Sequence, residues 1–208
     1  MKAKKSTLDI DKYLTDVAAG EGIIEGPIPR LMIQYAEILN TYYEERESER
    51  HFSKNESVNS TKGLIAELCF ENVLTEIWIP SLHNSLTLKA NQLRSDFWIP
   101  GLDKTIDVKL ITEFDEPCLL ETVERWRDNP ADFVVGMRLL PLGAEPEQLK
   151  NYKIAGYLTR AEVESRSTQP FPSGECYYTP ISELRPWAEF FKIMMEKAVR
   201  PANAPNVA

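Results

Sequence analysis

The chain has 208 residues, 43% of them hydrophobic and 27% charged, with a formal net charge of −8. That length supports one well-buried domain and leaves little for a second, and the acidity excludes a protein that coats nucleic acid non-specifically, though not a local basic groove or carboxylates arranged around a cation. No apolar run reaches membrane-spanning length, and the opening Met-Lys-Ala-Lys-Lys is followed by no apolar signal stretch, so the expectation is a cytoplasmic protein with no membrane partner.

Residues 1–27 read as a polar lead-in with one short helix around Leu8 to Val17. From Ile28 the pattern Leu31, Ile33, Tyr35, Ile38, Leu39, Tyr42 fits an amphipathic helix with Pro29 near its start. It runs into Glu44-Glu45-Arg46-Glu47-Ser48-Glu49-Arg50, a charge run expected on a solvated helical face. Residues 53–60 are polar and loop-like. Ser60 or Thr61 is expected to cap a second helix carrying Leu64, Ile65, Leu68, Cys69, Val73 and Leu74 on one stripe. Glu67 sits on the edge of that stripe, with Glu71 one turn later.

Glu76–Pro80 and Leu86–Leu88 each have strand character, and the sequence does not say which of them joins a central sheet. Pro117–Asn129 is expected to be helical, with Leu119, Leu120, Val123 and Trp126 on one face. Asp132–Leu140, apolar and bounded by Pro130 and Pro141, reads as a buried strand. Asn151–Leu158 is a further strand, and Thr159-Arg160-Ala161-Glu162 has capping-box spacing for a short helix. Tyr177–Pro180 is a short strand or edge piece. A last helix begins at Ser182 or Pro186 and runs through Trp187, Phe190, Phe191, Ile193 and Met194, aromatics at core spacing. Cys69, Cys118 and Cys176, odd in number and widely separated, read as small buried residues. With His51 and His83 the only histidines, a Cys/His zinc site has poor support. Both histidines lie in polar stretches, expected to be exposed, which sets aside a histidine-based triad.

The stretch Arg94–Leu110 carries the chemistry. Trp98-Ile99 and Ile106–Val108 read as two strands joined through Pro100-Gly101-Leu102-Asp103. Strand alternation puts Asp107 and Lys109 on one face and Ile106, Val108 and Leu110 on the other. A loop with an even number of residues pairs positions of opposite parity, and cross-strand partners share a face. A two-residue turn on Leu102-Asp103 sets Asp96 opposite Lys109 and Trp98 opposite Asp107; one on Pro100-Gly101 shifts the register and keeps the parity. Either way Asp96, Asp107 and Lys109 converge, with Phe97 and Ile99 buried behind. The plainest reading of Asp96 and Lys109 is a cross-strand ion pair worth about 0.2–1 kcal/mol. Two or three carboxylates with one open side also suit a hard cation such as Mg²⁺ or Mn²⁺ that keeps several waters.

Asp96, then Asp107-x-Lys109, preceded by Glu67 on a helix, resembles the PD-(D/E)xK nuclease superfamily, with Ser95 in place of the family's proline. The resemblance covers the middle of the chain. It implies an α/β, restriction-endonuclease-like mixed central sheet flanked by helices, with core order α-β-β-β-α-β. With the chain length, the reading is a single domain over residues 1–200, its core at about 60–160, with N-terminal helices in 1–52 and a C-terminal helix in 182–199 packed on it, and the tail at 201–208 reads as disordered. The implied activity is a Mg²⁺- or Mn²⁺-dependent endonuclease acting on DNA, with Asp96, Asp107, Glu67 and the Val108 carbonyl as metal ligands and Lys109 beside them as a catalytic residue. Restriction-type members, which need two sites to cut both strands, suggest a homodimer by analogy. Lys62, Lys89, Arg94 and Lys104 lie nearest the site in sequence and are the candidates for phosphate contacts. Two other readings compete: a non-catalytic nucleic-acid-binding or assembly module that keeps the fold, and a protein-interaction module using an exposed stripe on the Ile28–Arg50 helix.

Overall fold

The apolar alternation of the middle of the chain builds a six-stranded mixed sheet. The computed structural model describes residues 25–46, 54–77, 79–84, 95–113 and 116–198. The sheet contains β1 (Glu25–Pro27), β2 (Leu82–His83), β3 (Phe97–Ile99), β4 (Lys104–Leu110), β7 (Phe133–Leu140) and β8 (Asn151–Thr159), in the order β1-β8-β7-β4-β3-β2. β4 and β7 run parallel, and the other neighbours are antiparallel. A smaller sheet contains β5 (Thr112–Glu113), β6 (Pro117–Thr122), β9 (Thr168–Phe171) and β10 (Gly174–Pro180), in the order β5-β6-β10-β9. The helices are α1 (Arg30–Arg46), α2 (Lys54–Glu76), α3 (Val123–Asp128), α4 (Arg160–Glu164) and α5 (Trp187–Ala198). The α/β expectation holds, and among the described residues no helix is long and apolar enough to cross a membrane.

Strand alternation sends Phe97, Ile99, Ile106, Val108, Val135 and Met137 to one face of the large sheet. There they meet Ile65, Cys69, Phe70 and Val73 of α2 and Trp187, Phe190 and Phe191 of α5. Phe70 sets its edge against Phe97 at 5.3 Å and Trp187 at 5.8 Å, tying both helices to the hairpin; burying such a ring contributes about 1.5–3 kcal/mol. On the opposite face Leu119 and Trp126 pack with Val134, Leu158 and Val163. The small sheet and α3 thus sit over β7 and β8, and they reach β4 with polar groups.

Several expectations hold. The Thr159–Glu162 capping box forms, with the Thr159 N–H donating to the Glu162 carboxylate at 2.7 Å. All three cysteines are buried and free. Tyr177–Pro180 lies within β10. The hairpin loop is Pro100–Asp103, an even number of residues, and Asp103 takes a left-handed backbone (φ 52) that aspartate tolerates. The pairs are Phe97↔Ile106, Trp98↔Thr105 and Ile99↔Lys104. The parity therefore survives, in a register between the two turns considered above.

Other expectations fail for identifiable reasons. Pro117–Thr122 is strand rather than helix, because both of its edges are paired: β10 bonds along Cys118–Thr122 and β5 along Pro117–Cys118. Only the last part of that predicted helix survives, as α3. The loop expected at 53–60 is helical from Lys54, so Ser60 and Thr61 lie inside α2 and do not cap it. A polar turn with no proline propagates a helix without needing an apolar stripe. Glu25–Pro27, expected to be lead-in, forms an edge strand on β8. The edge strand beyond β3 is Leu82–His83. The expected Leu8–Val17 helix, the Leu86–Leu88 strand, Trp78 and the 201–208 tail lie outside the described residues. On α1, Leu31, Tyr35, Ile38 and Tyr42 are exposed along one face.

One backbone position joins α5 to the sheet. Gly156 (φ +151) lies where an added Cβ would meet the Arg185 carbonyl oxygen at 2.6 Å, beside the Tyr157–Arg185 bridge. Gly156→Ala is expected to cost about 1–3 kcal/mol, read as a lower urea midpoint at unchanged m-value; an unchanged midpoint would show that the 184–186 segment gives way freely.

Candidate functional site

β3 begins at Phe97, so β4 loses its ladder partner just beyond Ile106. The Asp96 side chain takes that place: its Oδ2 accepts the Val108 N–H at 2.7 Å. N–H and C=O of one strand residue leave on the same edge, so the Val108 carbonyl opens on the Asp96 side. Continuing the register by one pair sets Asp96 opposite Asp107. Both are buried, 8% and 6% exposed, and their carboxyls lie within hydrogen-bonding reach of each other.

Lys109, two residues along the same face, puts its Nζ 2.6 Å from Asp107 Oδ2 and 3.1 Å from Glu121 Oε2. Glu121 comes from β6 of the small sheet and is 2% exposed. Its Oε2 lacks hydrogen-bond alignment and is held by charge alone. Arg125 on α3 approaches from outside, its guanidinium 3.8 Å from Asp107 Oδ1 and its side chain 58% exposed.

These charges set one another's proton affinity. Burial, then the charges of Asp107 and Glu67, push the Asp96 carboxyl well above the usual range. Burial would also raise Asp107, but Lys109, the hydrogen bond from Asp96 and Arg125 outweigh it and hold Asp107 low. Burial opposes the Lys109 ammonium, yet Asp107 and Glu121 hold its proton more tightly than usual. Glu121 is raised, by burial first and then by Asp107, against the pull of Lys109. The two carboxyls are thus pushed apart in proton affinity, Asp96 upward and Asp107 downward.

Glu67 reaches the edge of this cluster from α2, close enough for its charge to raise Asp96. It is held by His83, which was expected to be exposed and is instead buried, with its ring stacked on Phe97 at 4.3 Å. His83 Nε2 lies 3.0 Å from Glu67 Oε2 and Nδ1 lies 3.0 Å from Glu71 Oε2. Two acceptors on two ring nitrogens call for the doubly protonated imidazolium. Burial works against that charge, and the two glutamates more than offset it, so the His83 pKa is raised. A raised folded value gives stability that is complete below about 6.5 and lost as pH climbs through the folded pKa. In protein kept free of divalent ions, unfolding free energy is expected to fall as pH rises above about 6.5, with a shallower fall in His83→Gln. Equal slopes in the two proteins would remove His83 from this account.

No family model, curated protein or solved structure matches the chain at a significant level.

The structure thus gathers Glu67, Asp96, Asp107, Val108 and Lys109 at one end of β4. It does not bring the basic candidates there. Lys62 lines a separate cleft with Leu110, Thr112, Glu113 and Pro141. Lys104 pairs with Asp132 at 2.9 Å near the hairpin turn. Arg94 and Lys89, like His51, lie outside the described residues. Sequence reasoning missed Glu121, Arg125 and His83. Glu121 stands two residues from Leu119 and shares its face of a strand, a placement hidden by the helical spacing of Leu119, Val123 and Trp126.

Among the described residues no three His, Cys, Asp or Glu side chains close around a single point as a metal cage. Mg²⁺ does not need one: it is held by one or two carboxylates and keeps its remaining waters. Asp107 Oδ1 is buried without a hydrogen-bond partner, with the Arg125 guanidinium 3.8 Å away, and the Asp96 carboxyl beside it is pushed up in pKa by burial and by the charges of Asp107 and Glu67. An all-oxygen donor set of Asp96, Asp107 and the Val108 carbonyl fits a hard divalent cation.

Proposed function

We propose that the protein is a metal-dependent endonuclease that hydrolyses phosphodiester bonds in DNA, built on a restriction-endonuclease-like fold. The observation that carries this reading is the pressing together of the Asp96 and Asp107 carboxyls at a sheet edge, with Lys109 on the same face. The chain order supports it: α2, the antiparallel strands β2, β3 and β4, then α3 and the parallel strand β7. The excursion β5–β6 is inserted between β4 and α3.

Asp96, Asp107 and the Val108 carbonyl would hold Mg²⁺ or Mn²⁺, and Glu67 would reach in from α2 through water. When bound, such an ion lowers the pKa of coordinated water and screens charge developing on the phosphate. Lys109 would orient the attacking water and donate to the phosphoryl oxygens, with its stem fixed by β4 and its ammonium by Glu121. A homodimer would place two such sites on opposite strands of a duplex.

Supercoiled plasmid incubated with the protein and Mg²⁺ or Mn²⁺ tests this directly. Nicking or linearisation is expected, lost in EDTA and in Asp107→Asn; a pure protein that cuts DNA with neither metal ends the nuclease reading. One observation favours the second reading, a non-catalytic nucleic-acid-binding or assembly module: Lys109 already lies between Asp107 and Glu121, so the cluster balances much of its own charge. Titration with Mn²⁺ separates the two, because only a catalytic site needs saturable binding that Asp96→Asn weakens.

A further inference from the structure

Net charge −8 opposes the approach of any polyanion, so a phosphodiester enzyme with this composition needs a local cation at its site. Four of the described arginines are engaged elsewhere. Arg138 is paired with Glu113 at 2.7 Å. Arg185 is forked onto Glu189, Arg166 is paired with Glu183, and Arg160 donates to the Pro130 carbonyl. Lys109 is enclosed by two carboxylates and only 15% exposed.

Arg125 differs from all of them. Val123 and Trp126 are both buried, and Trp126 packs with Leu119, Val134 and Leu158, which fixes the backbone from which Arg125 extends. Its guanidinium is drawn toward Asp107 but stays 3.8 Å away, too far for a hydrogen bond, and more than half of the side chain faces solvent. The group is therefore aimed at the carboxylate cluster with its donor fork unspent. A planar fork of that kind matches two oxygens of a phosphate.

We propose that Arg125 grips a backbone phosphate of the nucleic-acid strand lying across the Asp96–Asp107 edge. This rests on the nuclease reading for its choice of ligand, and it assigns the anchoring of the strand to α3 instead of to Lys62 or Lys104. A phosphate contact carries no base information, so Arg125 sets affinity and position without setting sequence preference.

Fluorescence anisotropy of a labelled 20-base-pair duplex in EDTA, where nothing is cut, tests it over a range of salt. Arg125→Ala is expected to weaken Kd about tenfold, equally for unrelated sequences, and to lower the slope of log K against log salt by about one. Arg125→Lys should keep that slope and recover only part of the affinity, since it keeps the charge and loses the fork. Circular dichroism and thermal melting of the variants should match the wild type, Arg125 being an exposed residue. Unchanged Kd and slope in Arg125→Ala overturn the assignment, as does wild-type protein that fails to bind the duplex. Cleavage by the wild type with Mg²⁺ is read separately. Cutting with no Arg125 dependence of binding removes only the phosphate anchor; Arg125-dependent binding without cutting removes only the nuclease reading.

Discussion

Lys109→Ala is expected to lower cleavage by about 10²–10³-fold and, separately, to destabilise the metal-free protein by about 3–5 kcal/mol. The first effect follows from the proposed role of Lys109 as the donor to the phosphoryl oxygens. The second follows from what is left behind: Asp107 and Glu121, both buried, with their shared cation gone. The two effects come apart in a double variant. Lys109→Ala with Glu121→Gln removes one of the orphaned charges, so part of the lost stability should return while cleavage stays as low as in Lys109→Ala. Urea denaturation and plasmid nicking on the four proteins of that cycle measure both. If Glu121→Gln gives no rescue, the two carboxylates do not share Lys109 and the ion-pair geometry is wrong.

Asp96→Asn is expected to act in the opposite direction on stability. The Asp96 carboxyl has a raised folded pKa. Its contribution to stability is complete below about pH 3.9, the unfolded value, and is lost as pH rises through the folded one. At neutral pH the aspartate is thus a burden on the metal-free fold, either taking up a proton or facing Asp107 charged. Asparagine keeps the shape and an oxygen for the Val108 N–H, and carries no charge. The variant should gain about 0.5–2 kcal/mol, a rise of a few degrees in Tm for a chain of this size. It should also lose saturable Mn²⁺ binding and cleavage. A protein that becomes more stable as it loses its metal is the signature of a site kept for function. Asp96→Asn melting below the wild type in EDTA would mean that the carboxyl is there to support the fold.

The centre of this site was legible because it depends on short-range rules. Asp107 and Lys109 share a face by strand alternation alone. Asp96 joins them by the parity of one loop, and Pro100–Asp103 has the even length required. The remainder depends on contacts that no local pattern announces. Glu121 points at Lys109 only because β6 pairs with β10, more than fifty residues further on; read locally, its segment has the spacing of a helix. His83 sits in a polar stretch, and only α2 standing over the sheet edge brings Glu67 and Glu71 to both sides of its ring. Lys62 and Lys104 are near the site only along the sequence, which says nothing about which side of a sheet or which end of a hairpin a side chain occupies.

The pairing of β6 with β10 also ties the site to a distant part of the chain. Glu121 sits on β6, and five of the six β6 residues pair with Cys176–Pro180, a segment with no acid or base of its own at the site. The carboxylate cluster therefore cannot be cut out as a minimal fragment ending at Thr159, even though the large sheet is complete by then. Such a fragment would keep Asp96, Asp107 and Lys109 in one sheet while depriving β6 of the strand that aims Glu121. The far end of the molecule works as a splint: Tyr177 is the cross-strand partner of Glu121, and shortening the chain there would release the carboxylate that steadies Lys109.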